Sequence, residues 1–342
     1  MKILVTGHEG YVGSVLAPLI RGAGHEVVGL DTGWYEGCDF GPPTPKPPRS
    51  RSDIRNVDWQ ALQGCDAVIH LAAICNDPLG NLNPASTYDI NHHASVRLAE
   101  AAKRAGVRRW LFASSCSLYG RAGNEMLTEE ADFSPMTPYG ESKILVERDV
   151  RELASNDFSP VFLRNATAYG ISPRLRGDIV VNNLVGHAVT TGEIVVESDG
   201  TPWRPLVHVE DIGRAFLAAV EAPREAVHNQ AFNVGRNDDN LRVSEIVAMV
   251  QEAIPECRVR FAEGGGPDTR SYRVDCSKIR RHLPQFAPTW TVRTGIIQLR
   301  DAYLKAGMDH SAFFSDRYFR VKRISRLQVE GRLDQSLRWT AK

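Results

Sequence analysis

The segment Thr6-Gly7-His8-Glu9-Gly10-Tyr11-Val12-Gly13 constrains this chain more than any other feature. It follows a short apolar strand, Lys2–Val5, and runs into a helical pattern over Gly13–Ala23. Gly7 permits the tight turn, Gly10 lets a ligand approach the backbone, and Gly13 lets the helix pack closely on the strand. A turn of this kind offers free amides and the positive end of a helix dipole to an anion such as a pyrophosphate. It also commits the chain to a βαβ start, and hence to a parallel sheet.

The next 150 or so residues keep to that commitment. Glu26–Leu30 is a second β-rich run ending in Asp31, and Ala67–Leu71, Trp110–Ala113 and Pro160–Leu163 are further short buried strands. Between them His92–Ala105 and Glu141–Ser155 have helical length and periodicity. Right-handed crossovers then give an α/β, doubly wound parallel sheet of Rossmann type, with its ligand crevice at the carboxyl ends of the strands. The expected organisation is a dinucleotide-binding domain over residues 1–166, to which a strand and helix at about 205–235 return. Residues 167–204 and 236–342 form a smaller, mixed C-terminal substrate lobe. Gly41–Ser52, rich in proline and basic residues, reads as a surface loop.

Composition narrows the class. Lys plus Arg (41) balances Asp plus Glu (41), which gives no reason to expect nucleic acid or an acidic membrane surface as a partner. Apolar residues at 42% and charged residues at 24% are globular values, and no apolar run approaches a bilayer span. The opening residues read as a strand entering a turn rather than as a secretory leader, and the six cysteines are scattered without metal-type spacing. A cytoplasmic enzyme with reduced thiols and no metal is the expectation.

Asp31 sharpens the ligand. A carboxylate ending the second strand accepts both ribose hydroxyls of an adenosine and repels a 2′-phosphate, which favours NAD over NADP. Asp53-Ile54 lies where the third strand delivers a side chain to the adenine edge. Leu71-Ala72-Ala73 ends the next strand in small residues that leave its backbone open to a bulky cofactor. His70 beside them reads as a core histidine.

The chemistry is carried by Tyr139-Gly-Glu-Ser-Lys143, which opens a helix after Ser134-Pro-Met-Thr-Pro138. The i,i+4 spacing sets phenol and ammonium one turn apart on one face. A phenol titrates near pH 10, and a neighbouring ammonium together with a positive nicotinamide ring favours the phenolate as a base. Ser115, at the end of the strand upstream, can hold the same substrate hydroxyl.

These residues together resemble the extended short-chain dehydrogenase/reductases, the NAD-dependent nucleotide-sugar epimerase and dehydratase group, over roughly residues 1–300. By that resemblance Gly7, Gly10, Tyr11, Val12, Gly13, Asp31, Asp53, Ile54, Leu71, Ala72, Ala73, Tyr139 and Lys143 hold the cofactor. Ser115, Tyr139 and Lys143 are the catalytic set. Ser115, Ser117, Thr167, Asn183, Leu184, Arg204 and Arg270 face the nucleotide-diphosphate sugar. A homodimer paired through the helices after Asn91 and Tyr139 is implied as well.

Three departures from the group bear on the reaction. Ser115-Cys116-Ser117 stands where the 4,6-dehydratases carry an acidic pair, which argues against dehydration. Gly265 replaces an arginine that commonly grips phosphate, and Thr167 replaces a common asparagine. Cys116 reads as a packed thiol rather than a catalytic one, since it is three residues before Tyr119 rather than two. The expected activity is epimerisation through a keto intermediate, most simply at C4. A sugar dehydrogenase or 4-ketoreductase with net NAD(H) turnover is the alternative, and a non-catalytic NAD-binding scaffold is a further one. The basic tail Phe313–Trp339 has near-helical apolar spacing and reads either as a packed or subunit-facing amphipathic helix or as a cationic lip over the nucleotide pocket.

Overall fold

A computed structural model describes residues 1–42, 47, 49–57, 62–196, 198–261 and 270–340. Gly265 and part of the Pro-rich stretch (43–46 and 48) lie outside the described residues.

In chain order the strands are β1 (Lys2–Thr6), β2 (Glu26–Asp31), β3 (Arg49–Arg51), β4 (Ala67–His70), β5 (Arg109–Ser115), β6 (Arg121–Leu127), β7 (Ser159–Asn165), β8 (Thr167–Tyr169), β9 (Glu193–Val196), β10 (Trp203–His208), β11 (Gln230–Val234), β12 (Asn240–Arg242), β13 (Arg258–Phe261) and β14 (Ser271–Val274). Seven of them form one parallel sheet in the order β11-β7-β5-β4-β1-β2-β3. The central strands are short and apolar on both sides, as a sheet covered on both faces requires. One face packs against Leu98, Val146 and Phe158, and the other against Leu16, Ile20, Ile212 and Phe216. Strand order reverses between β1 and β4, which opens the crevice at their carboxyl ends.

Three small sheets complete the structure: β12-β10-β8, β13-β9 and β14-β6. The expected return to the large sheet at 205–235 is made by β11, whereas β10 pairs with β8 and β12. The helix after β10, Val209–Glu221, does pack in the same core as the first helix, Gly13–Gly22. The pairing of β6 with β14 joins residues far apart in sequence and leaves no local signature. Within the tail, Phe313 closes the short helix His310–Phe313 and Arg320–Val329 forms a second helix. Its Ile324 and Leu327, followed by Leu333 and Leu337, are buried in the core that contains Leu30 and Ile54. No helix among the described residues is long and apolar enough to cross a membrane.

Candidate active site

Six strands of the large sheet end around one cavity of about 1120 Å³, large enough for a dinucleotide and a second nucleotide-sized ligand. Gly7, Gly10, Tyr11, Val12 and Gly13 form one wall, with Asp31, Asp53, Ile54, Leu71, Ala72 and Ala73 beside them. Ser115, Ser117, Tyr139, Lys143, Thr167, Asn183, Leu184, Arg204 and Arg270 line the remainder. The cavity thus contains every site residue expected from the sequence.

The glycine turn has the shape of an anion cradle. Gly7 has φ +72° and lies so close to β4 that an added Cβ would be 2.8 Å from the amide nitrogen of Ala72. A Cβ on Gly13 would meet the Gly7 carbonyl oxygen at 2.3 Å. The helix that follows has no side-chain cap and no acidic residue in its first turn, so its positive end is left for a ligand. Tyr11 donates its hydroxyl to the Gly170 carbonyl at 2.7 Å and ties the turn to the loop after β8.

Asp31 is oriented by two backbone amides, Gly33 at 2.9 Å and Glu9 at 3.1 Å. Burial raises its pKa despite those bonds, so further donors such as ribose hydroxyls are favourable partners for it. Asp53 has a different local role. It accepts the Arg55 backbone amide at 2.8 Å and one guanidinium nitrogen at 2.6 Å, and so caps the short turn Ile54–Asn56 at the edge of the cavity. These residues fit NAD: a cradle for the diphosphate and a carboxylate for the adenosine ribose.

Tyr139 begins its helix because Thr137 caps it, accepting the Gly140 amide at 3.2 Å, with Pro138 at the first helical position. Its side chain lines the cavity together with Ser115. Burial pushes the phenol pKa up, and Ser115 and the Arg176 charge pull against it. Lys143 lies 5.6 Å from the tyrosine ring and 4.5 Å from that of Phe112, and donates to the Ala113 carbonyl at 2.7 Å. Burial lowers its pKa to about 8, which still leaves an ammonium at neutral pH. In the protein alone the phenol is therefore protonated, and a cation at the nicotinamide position is what would tip it towards the phenolate.

His70 is a core residue. Both ring nitrogens are bonded at 2.7 Å, to Thr6 and Ser95, and burial drops its pKa to about 3. Cys116 is fully buried outside the cavity, its thiol donates to the Arg164 carbonyl at 3.1 Å, and burial pushes its pKa well up. The thiol that does line the cavity is Cys75.

The substrate side is more neutral than charged. Ser117 Oγ and Asn165 Oδ1 are buried there without a protein partner. Arg270 pairs with Asp77 at 2.8 Å and its carbonyl accepts from Arg204, so both expected arginines belong to one network. Sequence reasoning missed Asn165, Cys75, Asp77 and Arg176, and reached Arg320 only as part of a basic tail with two open readings. Asn165 was within reach of a local argument, because it ends a buried strand directly after Arg164. The others depend on distant packing.

A dinucleotide cradle joined to a Ser–Tyr–Lys set at the sheet's carboxyl edge defines an oxidoreductase-type site. The sequence pattern of the NAD dependent epimerase/dehydratase family matches residues 3–235, and the chain belongs to that family. A UDP-glucose 4-epimerase of Streptomyces lividans is 32% identical over 282 residues, covering 75% of this chain and 83% of the relative. A UDP-glucose 4-epimerase of Bacillus subtilis is 26% identical over 325 residues, 87% of this chain and 94% of the relative. The structure of UDP-glucuronic acid 4-epimerase from Bacillus cereus in complex with UDP-glucuronic acid and NAD superimposes with a TM-score of 0.75 at 25% identity, over 89% of this chain and 99% of that one.

Proposed function

We propose that this chain is an NAD-dependent epimerase of nucleotide-diphosphate sugars, UDP-linked by likeness to its relatives, that inverts the sugar at C4. The observation that carries the reading is the grouping of Ser115, Tyr139 and Lys143, with Lys143 one turn on from Tyr139, in the same cavity as the glycine turn and Asp31. Bound NAD supplies the hydride acceptor and, on reversal, the hydride donor. Tyr139 takes the proton of the C4 hydroxyl as hydride leaves C4, so the carbon is oxidised to a ketone with charge balanced. Ser115 holds that oxygen, and the Lys143 ammonium stabilises the phenolate. After the ketone turns over, Tyr139 returns the same proton to the alkoxide formed on the other face.

Ser117 and Asn165 favour epimerisation over dehydration, because neither is an acid or base able to expel a neighbouring hydroxyl. Asn183, Leu184, Arg204 and Arg270 are assigned to the nucleotide and its diphosphate, and Thr167 to the sugar side. The same reading includes a homodimer paired through the helices Ala94–Arg104 and Pro138–Arg151, on which Val96 and Leu145 are half-buried. Six free thiols suit a cytoplasmic setting. The test is a panel of UDP-sugars incubated without added cofactor, with products read by NMR. Inversion at C4 supports the reading. Turnover only with stoichiometric NAD or NADH would replace it with a dehydrogenase or ketoreductase.

A further inference from the structure

Two arginines are buried beside the cradle with guanidinium nitrogens that no protein atom satisfies. Arg176 is 7% exposed and Arg320 2% exposed, and both line the cavity. Arg176 Nε donates to Asp178 at 2.8 Å and Nη1 contacts the Cys75 sulfur at 3.6 Å, while Nη2 is buried and unpartnered. Arg320 stacks over the Tyr35 ring at 3.8 Å and donates Nη2 to the Arg174 carbonyl at 3.1 Å, while Nη1 is buried and unpartnered. One carboxylate, Asp178, stands between the two cations; it also accepts the Arg320 backbone amide at 3.3 Å and the Asn76 amide at 3.3 Å. The group therefore keeps a net positive charge out of water, an arrangement that is costly unless an anion completes it.

The neighbours identify that anion. Both arginines are close enough to act on the phenol of Tyr11 in the glycine turn. Tyr35 follows Asp31 in the segment after β2, and Cys75 follows Leu71–Ala73 after β4. Arg176 also acts on Tyr139, which lines the same cavity as Asp31. The pair is thus placed between the adenosine side and the nicotinamide side, where a dinucleotide carries its diphosphate.

We propose that Arg320 and Arg176 form a cationic clamp on the diphosphate of the bound dinucleotide, and that the C-terminal tail is the strap that carries it. The inference rests on the NAD-dependent reading above. The strap is anchored at several points on the adenosine side. Arg323 donates to the carbonyls of Trp34 and Glu36 at 3.1 Å, and Trp339 to that of Thr32 at 2.7 Å. Arg55, already bound to Asp53, reaches the Ser336 carbonyl at 2.6 Å. Phe313 and Ile324 are fully buried on either side of Arg320 in sequence. Cofactor exchange then requires the strap to lift, which makes NAD a retained group rather than a freely exchanging one.

The test compares full-length wild type, Arg320→Met and Arg320→Lys by calorimetric titration with NAD, ADP-ribose, adenosine and UDP, with circular dichroism as the fold check. Charge-assisted bonds of this kind correspond to roughly 10- to 100-fold in affinity. Arg320→Met is expected to lose that much for NAD and ADP-ribose, with adenosine and UDP within about twofold of wild type. Arg320→Lys keeps the charge without the fork and is expected to fall between. NAD affinity within twofold of wild type in either folded variant overturns the clamp, as does a loss confined to UDP or an equal loss for adenosine. A wild type that neither binds added NAD nor releases NAD on denaturation overturns the cofactor assignment itself, so the two failures are distinguishable.

Discussion

Arg164 and Glu147 form a buried ion pair at 2.8 Å that fixes the Tyr139 helix to the strand beside Ser115. Arg164 extends from β7, and Glu147 lies one turn beyond Lys143 on the helix Pro138–Arg151. Glu147 also accepts the Ser114 hydroxyl at 2.6 Å, and Arg164 reaches the Tyr119 hydroxyl at 3.0 Å. The relative placement of Ser115 and Tyr139 is thus set from behind by a charge pair that touches neither.

Arg164→Met leaves a buried carboxylate whose ion pair is then with Arg151 at 3.6 Å, with the Lys143 charge also acting on it. A loss of about 3 kcal/mol in stability is expected, at the low end for breaking a buried pair. Arg164→Met combined with Glu147→Gln should recover part of it. Denaturant midpoints of the three proteins check this, and equal midpoints for wild type and the single variant would count against it.

Tyr139→Phe removes the phenol oxygen and keeps the packing against Gly80, whose added Cβ would be 3.2 Å from the tyrosine Cβ. Turnover is expected to fall by roughly 10²- to 10⁴-fold, the range for losing a general base. Cofactor content on purification should be unchanged. Undiminished turnover would point to another base.

His70 gives the protein a built-in acid sensitivity. Its pKa falls from 6.5 unfolded to about 3 folded, so between those values the unfolded chain holds a proton that the native protein does not. Stability from this group is therefore complete above 6.5 and declines as the pH drops towards 3, by about 1.4 kcal/mol per pH unit. A stability profile from pH 7 to 4 tests this. His70→Gln should flatten the decline, and an identical slope in the variant would refute the assignment.

Gly13→Ala places a methyl 2.6 Å from the Cα of His8 as well as against the Gly7 carbonyl. The turn has to open to admit it, with a cost of about 2–3 kcal/mol and loss of retained NAD. Thermal melting and cofactor content of the purified variant check both effects.

The parts of this site legible in sequence are those written locally. The glycine turn, Asp31 at a strand end, and Tyr139 with Lys143 each need only a few adjacent residues to define their geometry. Asp53 was legible as a position, but its bonding to Arg55 was not, because that depends on where Ser336 and Leu337 come to lie. The same holds for Arg320 and for the pairing of β6 with β14, which bring together residues over a hundred positions apart. Periodicity showed that the tail had an apolar face. Only packing shows that this face belongs to the core beside Leu30 and Ile54.

The most direct test of the account is the NMR product of a panel of UDP-sugars incubated with the purified protein and no added cofactor, with NADH absorbance followed alongside. The account predicts the C4-inverted sugar, with NAD retained by the protein and no net NADH formed. An oxidised or reduced sugar appearing in proportion to NAD(H) consumed would contradict it.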